Sequence, residues 1–327
     1  LLILSESSRY RRVAATPFWG NRLRHMEQVN CMTLDKKHIA AYFPIVVFLA
    51  PSLLLTAVFL FFPAILEVYF SFTDWDGISS SVGFVGFRNF RLMLQDDVFA
   101  LALRNTVVFC LSTVVLQHLL SLCFAVLIHR KVYFGNLHKA LLFVPSILST
   151  VVVSLAFSFI LNPISGHWHE LFSSFGFDSL SKINWLGDPS YGMAALVFVS
   201  VWQYTGYCMV IYMAALADIP KEMLEAGSID GTNGWQQFWF IEFPSIAPAF
   251  TINTVLSVIG NLKAFELVFA LTGGGPGNST EVIATYIYRV GFTSGRMGYG
   301  TAVSLVLFIM ISAISFIQIK LLRSREQ

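Results

Sequence analysis

Residues 213–244 read MAALADIPKEMLEAGSIDGTNGWQQFWFIEFP, a short polar stretch punctuated by glycine that joins two long apolar runs. On a helical wheel Asp218, Lys221, Glu222, Glu225 and Ser228 share one arc. Leu216, Ile219, Met223 and Ala226 fall opposite, and Ile229 is the misfit. The pattern predicts an amphipathic helix of about two to three turns. Asp218 is placed to cap its start, Pro220 suits the first turn, and Gly231 suits a left-handed ending.

The runs on either side are two of six: residues 41–70, 104–128, 139–161, 192–216, 246–271 and 300–322. Each reaches the ~20 residues that a helix needs to cross ~30 Å of hydrocarbon. They are continuous and do not alternate, so they predict helices and not a barrel. Pro44, Pro51 and Pro63 are expected to kink the first, and Pro145 marks the third near its start. Composition agrees with lipid as the solvent. Hydrophobic residues make up 56% of the 327 and charged residues only 12%, too apolar for an ordinary water-exposed surface. A net charge of +2 gives no argument for nucleic acid.

Basic residues set the expected orientation. Arg9, Arg11, Arg12, Arg22, Arg24, Lys36, Lys37, Arg130, Lys131, Lys139, Lys221, Lys320, Arg323 and Arg325 fall on one side; Arg88, Arg91, Lys182, Arg289 and Arg296 fall on the other. That asymmetry places both termini and the 217–245 loop in the cytoplasm. Residues 1–40 form a basic cytoplasmic arm, 41–322 the membrane domain and 323–327 a short tail. The arm lacks the apolar core and cleavage site of a signal peptide. Translation is expected to start at Leu1, read from an alternative codon, or at Met26 or Met32. Outside, FRNFRLMLQDDVF (87–99) reads as a short amphipathic piece near the membrane surface, with Trp75, Trp168 and Trp185 near the interfaces.

Catalytic and metal chemistry find no support. His167 and His169 have no third ligand in view, and Cys31, Cys110, Cys123 and Cys208 form no CxxC pair. The GGGPG run at 273–277 is followed by no Lys-Ser/Thr and is not a phosphate loop. Within the bilayer the fifth run is the most polar. Asn253, Ser257, Gly260 and Ala264 share one helical face with Asn261 on its shoulder, and Lys263 is spaced to pair with Glu266. Trp202, Gln203, Tyr204, Thr205 and Tyr207 in the fourth run offer rings, amide and hydroxyl groups suited to a neutral sugar.

Glu225-Ala226-Gly227, three residues, Gly231, nine residues, then Ile241-x-Phe243-Pro244 resembles the signature loop of binding-protein-dependent ABC importer permeases. Gly227 stands for the family's second Ala and Phe243 for its Leu. IPKEMLEAGSIDG (219–231) and LTGGGPGNSTEVIATYIYRVGF (271–292) resemble the carbohydrate-uptake branch, which includes the larger maltose-importer permease. The likeness runs from about Ala40 to the C-terminus.

The resemblance implies an all-α membrane protein of six transmembrane helices with the type I ABC importer permease fold and a cytoplasmic coupling helix. Glu225, Ala226, Gly227, Asp230, Gly231 and Pro244 would couple it to the ATPase. Matching WQYTGY and GNLKAF to the sugar-contacting segments of relatives points to Tyr204, Tyr207, Gly260, Asn261 and Ala264. The implied partners are a second permease in a heterodimer, two ATPase subunits that bind ATP and Mg, an extracytoplasmic binding protein, a sugar and membrane lipid. The implied place is a bacterial inner membrane, and no cofactor or metal is implied for this chain. Glycerol 3-phosphate or another polyol remains an alternative substrate. A self-sufficient secondary transporter or channel is the alternative of another class, and no inverted repeat favours it.

Overall fold

The computed structural model describes residues 36–130, 133–162, 168–176 and 183–323. Most of the expected N-terminal arm lies outside them, as do Cys31, Lys131, His167, Lys182 and Arg325. The chain divides into two units, residues 1–65 and 66–327.

The first unit holds α1 (Lys36–Thr56), a π turn (Ala57–Phe61) and the start of α2 (Phe62–Ser71), whose residues from 66 onward are counted in the second; Val46–Ser71 is one apolar span. Pro51 and Pro63 do not break it. Pro63 has no N–H to give, and the ladder widens just before it, where the Phe62 N–H reaches Ala57 O. None of the span's apolar window is buried, and Phe48 and Phe59 are 84% and 75% exposed, as a lipid-facing helix requires.

The second unit is built on a pair of long helices, α4 (Asp97–His129) and α8 (Gly192–Ala217). A short α3 (Arg88–Leu94) precedes them, and its Asn89 donates to Ser71 O and Thr73 O. Asp96 caps α4 by accepting from the N–H groups of Val98 and Phe99. Lipid tails are as apolar as leucine, so close van der Waals packing must hold such helices together. Small residues supply it: Ala102 and Ala125 are fully buried on α4, and a Cβ on Gly206 of α8 would meet Leu142 O.

Two expected crossings are not straight. The third run divides into α5 (Gly135–Ile147) and α6 (Thr150–Ile160), bent by 97°. Leu148 and Ser149 are extended, three residues beyond the helix-disrupting Pro145. Gln203, wholly buried on α8, donates to Leu148 O at 3.1 Å and satisfies a carbonyl that the break releases. The fifth run also departs from expectation. Its helix α12 (Ala247–Leu262) ends at Leu262, and α13 (Glu266–Leu271) starts anew. Upstream, Gly234–Ser245 lies at 70° to α12. It comprises α10 (Gly234–Gln237), a π turn (Phe238–Glu242) and α11 (Phe243–Ser245), and this π turn too comes just before a proline, Pro244. Among the described residues there are thus four straight spans, or six if each bent pair counts as one.

The remaining elements are α7 (Trp168–Ser174), α9 (Lys221–Ile229), α14 (Ile283–Tyr288) and α15 (Met297–Arg323). Phe109, Leu196, Val199 and Val268 centre one buried cluster. Tyr286, Tyr299 and Met93 centre a second, which α3 joins through Met93 and Phe90 while its Leu92 and Leu94 stay exposed.

Candidate functional site

The polar loop forms α9, but its start differs from expectation. Asp218 ends α8 instead of capping α9; Pro220 sits at the cap position with no side-chain bond. Leu216 and Ile219 therefore belong to the buried cluster with Tyr212 and Ile246, not to the helix face. Only Leu224 and Gly227 turn inward from α9, while Glu222, Glu225, Ala226, Ile229 and Asp230 are exposed. Met223, counted on the apolar arc, is exposed as well. Ile229, the misfit of the wheel, is 86% exposed among these carboxylates.

Gly227 has a packing reason. A Cβ there would run into Ile241 Cδ1, so the glycine lets Ile241 close against the helix. Thr232 completes the end, its N–H and Oγ1 both donating to Gly227 O at 3.1 and 2.7 Å. Gly231 takes φ +78°, the left-handed ending expected, with open space around it. Asn233 caps α10 with Gln236 in a reciprocal capping box. Arg130 ties the loop to α4 through Gly234 O at 2.8 Å and Glu242 at 3.4 Å. Pro244 lies one turn on, exposed.

The five residues matched to sugar-contacting segments come together. Tyr204, Tyr207, Gly260, Asn261 and Ala264 line one cavity of about 480 Å³ with Gln117, Thr150, Ser200, Ser257, Lys263, Phe265 and Glu266 among its other walls. That size falls within the usual range for a small-molecule site. Tyr204 OH of α8 meets Oγ1 of Thr150, the first residue of α6 beside the break, at 2.8 Å. Asn261 donates to Ser257 O at 2.8 Å, and among the described residues its carbonyl oxygen has no hydrogen-bond partner. A Cβ on Gly260 would meet nothing within 4 Å.

Two expectations change here, at Lys263–Glu266 and in the WQYTGY segment. Lys263 and Glu266 do not pair, because α12 ends between them and no ion pair joins them; both are exposed on the cavity wall. Asn253 is wholly buried and donates to Cys208 O, packing helix on helix as a polar residue on that face can. In the WQYTGY segment only the two tyrosines line the cavity: Gln203 serves the break, Thr205 bonds within α8, and Trp202 packs edge-on against Phe157.

Sequence reasoning missed a clasp on the opposite loop. Asn105 Nδ2 donates to the carbonyls of Asn278, Ser279 and Glu281 at 3.4, 3.0 and 3.0 Å. Thr280, fully buried, donates to Gly275 O at 2.7 Å. Glu281 is 2% exposed beside Arg289 at 3.7 Å, and burial raises its pKa above the usual value in spite of that cation. Asp96 is the reverse case: burial pushes its carboxyl up, but bonds from Tyr286, Phe99, Val98 and Tyr299 outweigh it and hold it low. Partners more than 170 residues apart leave no local signal. Among the described residues, no group of three His, Cys, Asp or Glu could hold a metal ion.

Residues 98–326 match the family described as binding-protein-dependent transport system inner membrane component. A probable starch degradation products transport system permease protein of Thermoanaerobacterium thermosulfurigenes is 34% identical, over 85% of this chain and 94% of its own. An sn-glycerol-3-phosphate transport system permease protein of Agrobacterium fabrum is 31% identical, over 84% and 93%. A chain of a bacterial ABC transporter involved in the import of the acidic polysaccharide alginate shares the fold, with a TM-score of 0.77 at 23% identity over 88% and 98%. With the type I importer permease fold and a family model that takes in most of its length, the chain belongs to the inner membrane components of binding-protein-dependent transport systems.

Proposed function

We propose that this chain is one of two permease subunits of an ATP-driven importer, and that the cavity at Tyr204, Tyr207 and Asn261 is its half of the path for a neutral sugar. The observation that carries this reading is the cavity itself, where ring faces, hydroxyls and an amide with a spare acceptor line one space. Sugar C–H faces stack on rings, and hydroxyls need both donors and acceptors. Lys263 and Glu266 add one charge of each sign, so the walls carry no net charge. That balance favours a neutral sugar over glycerol 3-phosphate. Family membership replaces the self-sufficient carrier, since the family is a component of a larger transport system.

The exposed face of α9 is read as the contact with an ATPase subunit that supplies ATP and Mg chemistry. Glu225 is exposed for an Arg or Lys of the partner, and Ile229 and Ala226 add apolar surface. Both termini and α9 lie in the cytoplasm on this reading, and an extracytoplasmic binding protein delivers the sugar. Tagged chain purified in mild detergent should bring with it a second permease and an ATPase subunit, identified by mass spectrometry. ATP hydrolysis by that complex should rise with maltose-loaded or lactose-loaded binding protein. Recovery of the chain alone, with transport intact, would overturn the reading.

A further inference from the structure

We infer that Gln117 of α4 is a specificity-determining residue of the cavity, the unpartnered end of its side-chain amide hydrogen-bonding one hydroxyl of the transported sugar. The inference rests on the reading of the cavity as the sugar path. It adds a third helix to the two, α8 and α12, on which that reading stands.

Gln117 is 3% exposed and lines the cavity. One end of its amide meets Cys208 Sγ at 3.0 Å, and the other end has no hydrogen-bond partner. A buried polar atom without a partner is costly, and such an atom beside a binding space is completed by what enters that space. Other buried side chains also carry unpartnered atoms, including Thr113, His118, Gln203 and Asn253. None of these lines the cavity; among the described residues Gln117 alone lines it while carrying a fully buried unpartnered atom, the free carbonyl of Asn261 being less enclosed.

The chemistry does not depend on which end of the amide faces the sulfur. A thiol is a weak donor and a weak acceptor, so either orientation leaves one amide end free. A sugar hydroxyl both donates and accepts, and satisfies whichever end remains. The position is also braced: Cys208 Sγ lies 3.7 Å from Ser257 Oγ, and Ser257 O accepts from Asn261. Gln117 and Asn261 thus line one space from different helices through a shared support, and a small turn of the Gln117 amide brings its free end to a hydroxyl there.

The test uses the importer assembled with its co-purified partners in proteoliposomes. Uptake is measured per assembled complex at saturating loaded binding protein, with maltose, lactose and raffinose and with monodeoxy analogues of whichever the parent imports fastest. Gln117→Leu should slow uptake of that sugar about three- to tenfold, the effect of one lost hydrogen bond. It should also cease to distinguish the sugar from one monodeoxy analogue that the parent discriminates against. Tyr207→Ala and Asn261→Leu are measured beside it. If they slow uptake while Gln117→Leu keeps the parent rate and discrimination, the inference fails and the cavity stands. If all three match the parent, the cavity reading itself fails. Cys208→Ala removes the amide's protein partner and tests a bracing role; should it reproduce the loss of discrimination, Gln117 acts only through packing. If Gln117→Leu does not assemble, Gln117→Met, close in length, carries the test; parent-like uptake and discrimination by it would overturn the inference.

Discussion

Two glycine-rich polar loops, 217–245 and 271–282, look alike in sequence and are used in opposite ways. In the second the polar groups turn inward: Thr280 is fully buried, Glu281 nearly so, and Asn105 gathers three of its carbonyls. In the first Glu222, Glu225 and Asp230 are exposed, and among the described residues no ion pair reaches them. Their glycines differ too. A Cβ on Gly274 would strike the Glu281 carboxylate, whereas one on Gly231 meets nothing within 4 Å. The 271–282 loop is closed by its own Thr280 and Glu281 together with Asn105 of α4; the other leaves the outer side of α9 exposed. Difference in satisfaction, more than in composition, separates the closed loop from the one proposed to meet the ATPase.

The all-or-none way to break this comparison is topology. With single cysteines in a cysteine-free background, exposed Ser80 and Ser190 should be labelled from outside intact cells and Ser228 should not. Labelling of Ser228 from outside would place both loops on one side and end the contrast. Next in size is Glu225→Lys. It should leave the amount and thermal stability of the chain unchanged yet abolish ATP-driven uptake, since reversing a buried partner charge costs about 2–5 kcal/mol at an interface. Normal uptake with the ATPase still bound would contradict it.

The glycines sharpen the contrast quantitatively. Gly231→Ala should cost about 1–2 kcal/mol, the strain of a left-handed residue alone. Gly274→Ala bears that strain at φ +84° and must also displace Glu281, so its loss of thermal stability should be clearly larger. Equal losses would show that the clasp is not tight. A smaller effect concerns pH. Glu281 has a folded pKa raised above 4.5 by burial, so folding favours its neutral form more than the unfolded chain does. Its contribution is fully present below that ordinary value and is lost as pH rises through the folded pKa. Glu281→Gln should therefore remove one source of destabilisation on raising the pH; thermal melts of the two proteins that stay parallel from pH 4 to 8 would contradict it.

What was legible in the sequence followed from local pattern. The apolar runs, the left-handed Gly231 and the meeting of Tyr204, Tyr207 and Asn261 all came from spacing or resemblance. The break at Leu148 was hidden because apolar character runs on across it while the backbone turns; the one at Lys263 was hidden because the Lys263–Glu266 spacing suits a continuing helix equally well. Gly227 looked like a mild departure and is required by Ile241, fourteen positions away in sequence yet in contact. The clasp at Asn105 and Asp96 was beyond reach for the same reason, since its partners are joined only by the fold.

The central claim is that α9 transmits ATP hydrolysis while the cavity handles the sugar, and one paired measurement tests it directly. Uptake and binding-protein-stimulated ATPase are measured together on the assembled complex carrying Asn261→Leu. Loss of one uncharged hydrogen bond, about 0.5–1.5 kcal/mol, predicts uptake roughly three- to tenfold slower with the stimulated ATPase largely preserved. Uptake at the parent rate for maltose, lactose, raffinose and glycerol 3-phosphate alike would contradict the account.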